Sequence, residues 1–279
     1  MRWMLLLAAA IFAIALALPA RAGDVPSGFI NIIRADRITM MIALDPDSAR
    51  AYFDTDNSYG FILRSDPASL QAARQLKAQG WRFRFAEAYF NLAAFQADVA
   101  AHAIEPGVTA VVYDNEDGAT REGETGDGGF DDPRSRRAAT RDFYKLAKAH
   151  DLTVILAPGT MCNAANVFFR RIFTPQACYA YLRDVAPYAD IIDPQFQGLI
   201  PYADVHLAAT RDSAALMKAS NPSIRILSEF TTNPQRRFTP AQNIAAMRAT
   251  LPYVNGLWTN LNASRQGIED GIHILRAVH

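Results

Sequence analysis

The stretch TAVVYDNED, residues 109–117, is the most informative part of the sequence for the fold. An apolar, β-branched run stops at a group of carboxylates and an amide, which is typical of a strand buried on both faces that opens into a polar site. Similar short apolar runs recur along the chain and alternate with longer, alanine-rich stretches. Strands are predicted over residues 38–44, 60–63, 81–86, 109–114, 152–157, 190–195, 224–229 and 256–260.

Helical spacing of apolar residues predicts helices between these strands, over residues 47–54, 66–79, 90–103, 133–150, 174–187, 202–219, 239–251 and 264–277. Four of them begin with a capping side chain followed by proline: Asp66-Pro67, Asp132-Pro133, Thr174-Pro175 and Thr239-Pro240. Eight strands alternating with eight helices predict an α/β single domain, a (β/α)8 or TIM barrel. An open, doubly wound sheet is the alternative, but no Gly-x-Gly-x-x-Gly motif follows the first strand.

The N-terminal residues have the three parts of a secretory signal peptide. A short basic start precedes the apolar run 5–18, and small residues follow at Ala20 and Ala22. We expect cleavage after Ala22, so that residues 1–22 are the signal peptide and residues 23–279 the barrel of a secreted or periplasmic protein. An uncleaved anchor is the alternative, but the run is shorter than the roughly 20 residues of a spanning helix. No membrane span is expected after signal removal.

Charge, cysteine and histidine content indicate which partners, cross-links and cofactors the protein has. The 28 basic and 28 acidic residues give a formal net charge of +0, and no basic stripe suggests a nucleic-acid partner. Cys162 and Cys178 are the only cysteines, and an isolated pair in an exported protein predicts a disulfide, with two buried thiols as the alternative. Without a zinc-spaced histidine group or a phosphate-binding glycine loop, neither a metal nor a cofactor is predicted. The sequence predicts no particular oligomeric state.

Polar and aromatic residues stand where the predicted strands end, which is where TIM barrels place their active sites. Carboxylates and amides pair with sugar hydroxyls, and aromatic rings cover the apolar face of a sugar. The predicted ligand is therefore a carbohydrate. The predicted binding residues are Tyr113, Asn115, Gln195, Gln197, Trp258 and Asn260, and the predicted catalytic residues are Asp114, Glu116 and Glu229.

Asp114 and Glu116 form the sharpest feature of this set. Two residues apart on a strand, they leave on the same face, and paired negative charges raise the pKa of one carboxyl, as a general acid requires. The alternative is a solvated acidic loop, since more acidic residues follow in the loop 117–132. That loop is predicted to be a solvated connector, with a lid or a cation site as the alternatives.

Asp114-Asn115-Glu116 at the end of the fourth strand resembles the Asp-x-Glu motif of family 18 glycoside hydrolases, the chitinases and their relatives. The segment ADIIDPQFQ, residues 189–197, is similar to the sixth strand of that family, and Trp258 resembles the tryptophan beneath its central sugar site. The resemblance implies a TIM barrel in which Glu116 is the general acid and Asp114 holds the N-acetyl group of the substrate.

Two positions depart from the family pattern. Val112 stands where the family has an outer aspartate, and Gln197 stands where it has a tyrosine. These departures favour the alternative function, a non-catalytic, lectin-like barrel that binds carbohydrate. A metal-dependent phosphodiesterase is disfavoured because the ligand histidines are missing.

A second glycosidase arrangement involves the seventh strand. Asn115-Glu116 together with Glu229 resembles retaining barrel glycosidases, in which an Asn-Glu dipeptide supplies the acid/base and a seventh-strand glutamate is the nucleophile. Their two carboxyls would lie about 5 Å apart. The alternative for Glu229 is pairing with an arginine such as Arg225.

Overall fold

The computed structural model describes residues 28–64, 66–115, 127, 133–159, 162, 167, 174–236 and 238–279. Eight parallel strands form one closed barrel in chain order, with β8 pairing with β1, so the predicted single-domain TIM barrel is confirmed. The strands are β1 (Ile30–Arg34), β2 (Ser58–Leu63), β3 (Arg84–Tyr89), β4 (Val108–Asp114), β5 (Thr153–Ala157), β6 (Ile191–Ile192), β7 (Arg225–Thr231) and β8 (Gly256–Asn260).

Helices pack around the barrel between successive strands. In the described part of the chain they are α1 (Ala35–Leu44), α2 (Pro46–Phe53), α3 (Pro67–Ala78), α4 (Leu92–Ala101), α5 (Pro133–Ala149), α6 (Pro175–Val185), α7 (Ala203–Ser220), α8 (Pro240–Thr250) and α9 (Arg265–Val278). Three predicted caps are confirmed, because Asp66, Thr174 and Thr239 each accept a backbone N–H from the first helical turn. The fourth, Asp132, lies outside the described residues.

The prediction for the first β/α unit is wrong. Residues 38–44 belong to α1, and the first strand lies earlier, at β1. Ile38 and Met41 are buried at helical spacing while the residues between them are partly exposed, so this apolar run covers one helix face. A short apolar run does not distinguish strand from helix by itself. The correction places Arg34 at the C-terminal end of a barrel strand.

Alternation along each strand separates two layers of packing. The inward side chains form the barrel interior, as Ala110 and Val112 do on β4. The outward ones, such as Val111 and Tyr113, pack beneath the helices. At the seam between β8 and β1 the backbones approach closely: a Cβ on Gly256 would lie 2.1 Å from the carbonyl oxygen of Ile30, so only glycine fits there.

A disulfide between Cys162 and Cys178 joins the segment after β5 to α6, as predicted. The Cα atoms of the two cysteines are 5.0 Å apart. Across the described residues no helix combines the length and the apolar character needed to cross a bilayer. The predicted signal peptide, residues 1–22, lies outside the described part.

Candidate active site

The barrel mouth consists of the inward side chains at the C-terminal ends of the strands. Its described members are dominated by carboxyls and amides, and they extend the inward alternation of each strand beyond the apolar interior. They come from six strands or the segments directly after them: Arg34, Leu63, Asp114, Asp193, Gln195, Glu229, Trp258 and Asn260. Distant parts of the sequence therefore supply one polar surface.

Asp114 and Gln195 meet across the mouth. Gln195 Nε2 donates a hydrogen bond of 3.2 Å to Asp114 Oδ1. The backbone of Gln195 is left-handed, with φ 57°, which is uncommon for a residue other than glycine. Its N–H donates to Asp193 Oδ1 at 3.2 Å, which fixes this turn just after β6. Such backbone outliers concentrate at functional sites, and this one directs an amide toward a carboxylate.

Glu229 is held by partners on both sides. Its side chain is only 3% exposed, and its Oε1 accepts a 3.0 Å hydrogen bond from Asn260 Nδ2. The carboxyl of Asp193, which is 1% exposed, directly follows the adjacent strand β6 and is the inward neighbour of Glu229. Burial raises the pKa of Asp193 to about 7, against the lowering effect of the Gln195 N–H and the Glu229 hydrogen bond. This pair of carboxyls therefore keeps a proton near neutral pH.

An aromatic pair lies beside the polar groups in the barrel interior. Trp258 is in register with Glu229 on β7 and with Ile32 on β1, and it belongs to the apolar interior of the barrel. Its ring lies 5.3 Å from that of Phe61, centroid to centroid, and Trp258 is 7% exposed. On β8, Asn260 is the next inward residue above it. The mouth thus combines buried carboxyls with an aromatic pair.

Two predicted binding residues face away from the mouth. Tyr113 is buried on the outer face of β4, where its ring stacks on Phe143 at 4.3 Å and its hydroxyl donates to Asp127 at 2.6 Å. Asn115 is also buried, and Arg136 of α5 donates to its carbonyl oxygen at 3.1 Å. The structure places both residues in the layer between the barrel and α5.

Two further predicted residues are Gln197, which lies in a turn after β6, and Glu116, which the structure does not describe. Gln197 lies in the 3-10 turn Phe196–Leu199, where its Oε1 is buried and receives no hydrogen bond within the described chain. Glu116 lies outside the described residues, as does the acidic loop 117–132 except for Asp127, so the role of Glu116 stays a prediction. No group of three acidic, histidine or cysteine side chains suited to a metal is found among the residues that the structure describes.

Two charged members of the mouth, Arg34 and Asp193, were not predicted. Arg34 forms ion pairs of 2.6 Å with Asp36 and with Asp66, and it was missed because the first strand was misplaced. The run INIIR, residues 30–34, was the available signal. Asp193 stood inside the predicted sixth strand between apolar neighbours, where a carboxylate needs a buried partner. That partner, Glu229, lies on another strand and could not be identified from spacing.

The basic residues limit the chemistry of the mouth. The lysines of the chain are Lys77, Lys145, Lys148 and Lys218, and each lies in a helix. No strand therefore offers an amine for Schiff-base catalysis. The histidines lie in helices, just beyond them or at the C-terminus: His102, His150, His206, His273 and His279. None of these lysines or histidines lies on a barrel strand.

No protein-family model matches the sequence, and no curated protein matches it. Among solved structures, the chain is similar to triosephosphate isomerase from Bartonella henselae, with 14% identity and a TM-score of 0.49, over 90% of this chain and 98% of that one. It is also similar to the YdjI aldolase from Escherichia coli K12, with 8% identity and a TM-score of 0.48, over 90% of each chain. Similarity at this level carries no argument about the chemistry of the mouth.

Proposed function

We propose that this protein is an exported glycoside hydrolase that binds an oligo- or polysaccharide in the barrel mouth. The observation that carries the proposal is the combination of Asp114, Asp193 and Glu229 with two amides and an aromatic pair in one mouth. Carboxyls supply the acid and base of glycoside hydrolysis, amides pair with sugar hydroxyls, and a ring supports the apolar face of a pyranose. Export remains part of the proposal and rests on the signal sequence.

Glu116 is the proposed general acid. Asp114, two residues earlier, faces inward, and regular alternation would bring Glu116 to the same face. Protonation of the glycosidic oxygen by Glu116 would start bond cleavage. The Glu116→Gln variant should lose about 10² to 10⁴ in rate while ligand affinity is largely kept. Unchanged turnover in this variant would exclude Glu116 as the acid.

Two groups compete for the second step, in which the anomeric carbon is attacked. If an N-acetyl group of the substrate attacks, Asp114 holds that group, as the resemblance to family 18 implies. If the enzyme supplies the nucleophile, Glu229 is the candidate, because it is buried at the mouth and its Oε1 is oriented by Asn260. Paired substrates with an N-acetyl or a hydroxyl group at C2 distinguish the two. Hydrolysis of the hydroxyl substrate favours Glu229, and hydrolysis restricted to the N-acetyl substrate favours Asp114.

The decisive experiment is a panel of oligosaccharides tested with the purified protein for binding and for release of reducing ends. Binding with cleavage supports the hydrolase. Binding without cleavage of any member supports the second candidate, a lectin-like barrel, which the apolar Val112 in the barrel interior favours. The proposal fails altogether if no carbohydrate binds.

A further inference from the structure

Asp193 has no step of its own in the proposed reaction, although its carboxyl lies beside that of Glu229 in the barrel mouth. Each has one oxygen hydrogen-bonded to an amide: Asp193 Oδ1 accepts from the Gln195 N–H, and Glu229 Oε1 accepts from Asn260 Nδ2. The other oxygen of each, Asp193 Oδ2 and Glu229 Oε2, is buried from solvent. Asp193 directly follows β6 and Glu229 lies on the adjacent β7, so the two carboxyls are buried inward neighbours. A hydrogen bond between them requires that one of the two is protonated.

We propose that Asp193 is a positioning residue that shares one proton with Glu229 and so fixes both the orientation and the charge of Glu229 in the barrel mouth. Two buried carboxylates side by side repel each other and lose their hydration, so retaining a single proton between them removes one charge and supplies a hydrogen bond. The pair then carries one negative charge. The protonation of Glu229 is therefore coupled to that of Asp193.

Among the residues that the structure describes, few other groups near the pair can compensate its charge. On β5 the neighbouring inward side chain is Ala157, and β8 contributes Trp258 and Asn260, none of which titrates. The charged inward side chains on neighbouring strands are Asp114 on β4, Arg34 on β1 and, lower on the same strand as Glu229, Arg225. On α7, which follows β6, burial lowers the pKa of His206 to about 4, so that this imidazole is neutral. Arg34 already pairs with Asp36 and Asp66.

The shared proton has a consequence for folding that does not depend on any activity. Burial raises the pKa of Asp193 from its usual 3.8 to about 7, so between these pH values the folded protein holds a proton that the unfolded chain does not. The stabilising contribution is complete below the unfolded pKa and is lost as the pH rises through the folded one. Stability should therefore fall between about pH 4 and pH 7 through this pair.

The test compares four proteins: the wild type, Asp193→Asn, Glu229→Gln and the double variant. The pH dependence of the unfolding midpoint gives the number of protons taken up on folding. Each single variant should lose about one proton, because the new amide donates the hydrogen bond and the remaining carboxylate no longer needs its proton. The double variant should lose the same proton and no more. If the double variant loses the sum of two independent protons, the shared proton is refuted.

The matched control is Glu87→Gln, which removes a carboxyl that is equally buried but lies on the outer face of β3. Its effect on proton uptake should add to that of Asp193→Asn. Infrared spectroscopy of the Glu87→Gln protein at pH 6 gives a second readout should the paired variants not fold. The carbonyl band of a protonated carboxyl should persist there, and its absence would overturn the proposal.

The role of Asp193 in positioning Glu229 rests on the proposed function, and enzyme kinetics test it separately from proton uptake. In a protein that hydrolyses sugars, Asp193→Asn should lower kcat about tenfold to a hundredfold with little change in KM, and it should shift the basic limb of the pH profile. Asp193→Glu, which restores a carboxyl, should recover the pH profile in part. If proton uptake behaves as expected while no sugar is cleaved, the pair stands and the hydrolase proposal fails.

Discussion

Glu229 and Glu87 are two glutamates on barrel strands with the same exposure, 3%, and opposite directions. Glu229 points into the mouth, where its Oε1 accepts from Asn260 and Asp193 is its neighbour after the adjacent strand β6. Glu87 points outward beneath the helices, where it accepts a hydrogen bond from the backbone N–H of Glu105. Nearby, Asp98 pairs with Arg64 at 2.5 Å and accepts from the Tyr89 hydroxyl at 3.2 Å.

Burial of a charged group therefore does not by itself mark a functional residue. Burial raises the pKa of Glu87, just as it raises that of Asp193 beside Glu229. What differs is the surroundings: Glu87 accepts a backbone hydrogen bond beside the Arg64–Asp98 ion pair in the outer layer, whereas Glu229 accepts one from a mouth side chain, Asn260. We infer that the outer layer, between the strands and the helices, stabilises the fold, and that the inner layer, which lines the barrel mouth, supplies the catalytic groups. Each of the following predictions tests this division.

The largest expected effect is a difference between matched variants. Glu229→Gln should lower the rate of sugar hydrolysis by about 10² to 10⁴, because a neutral amide can neither attack nor exchange a proton. Glu87→Gln should leave kcat/KM within about twofold, because it changes no group in the mouth. Both are measured on the same substrate with folding checked by circular dichroism. Equal losses in the two variants would abolish the distinction between the layers.

The disulfide should affect the outer layer alone. Cys162 and Cys178 are both fully buried beneath the helices, and the cross-link spans 16 residues. Replacing both by serine should lower the free energy of unfolding by about 3 kcal/mol, the chain-entropy value for a loop of this length. Below the unfolding transition kcat should not change. Denaturant titration and kinetics on the same samples test this, and a large loss of kcat in folded protein would link the disulfide to the mouth.

Substitutions of two asparagines, one in each layer, provide a test with a smaller expected effect. Asn260 Nδ2 donates to Glu229, whereas Asn221 Nδ2 donates at 2.9 Å to the carbonyl oxygen of Ala186. Asn260→Ala should lower kcat/KM roughly tenfold, since a hydrogen bond to a charged group contributes about 1.5 kcal/mol. Asn221→Ala should lower stability by a similar amount without changing kcat/KM. The reverse pattern would mean that Asn260 is structural.

The sequence predicted the features that neighbouring residues determine better than those that depend on contacts between distant strands. Strand order, most helix bounds and three helix caps follow from local patterns, because apolar periodicity and a cap followed by proline act within a few residues. The first strand was misplaced because an apolar helix face resembles a strand over seven positions. That error concealed Arg34, whose place at the mouth depends on where β1 ends.

Site residues were harder to predict than the fold, because proximity to a strand end does not fix direction. Asp114, Gln195, Glu229, Trp258 and Asn260 lie at the mouth, whereas Tyr113 and Asn115 belong to the other face of β4. The period of two along a strand contains this distinction, but only once the register is known. The contact of Asp193 with Glu229 joins two strands and is not encoded in any local pattern.

The smallest expected effect concerns Tyr113, which the sequence suggested as a sugar-binding residue and the structure places in the outer layer. Tyr113→Phe removes the hydroxyl that donates to Asp127 at 2.6 Å but keeps the ring stacked on Phe143. The free energy of unfolding should fall by about 1 kcal/mol, the net value of one hydrogen bond. Ligand affinity and kcat should not change, because the hydroxyl does not reach the mouth. Isothermal titration with a bound oligosaccharide provides the comparison with Asn260→Ala. Weaker sugar binding by Tyr113→Phe at unchanged stability would assign the outer face of β4 to the binding site.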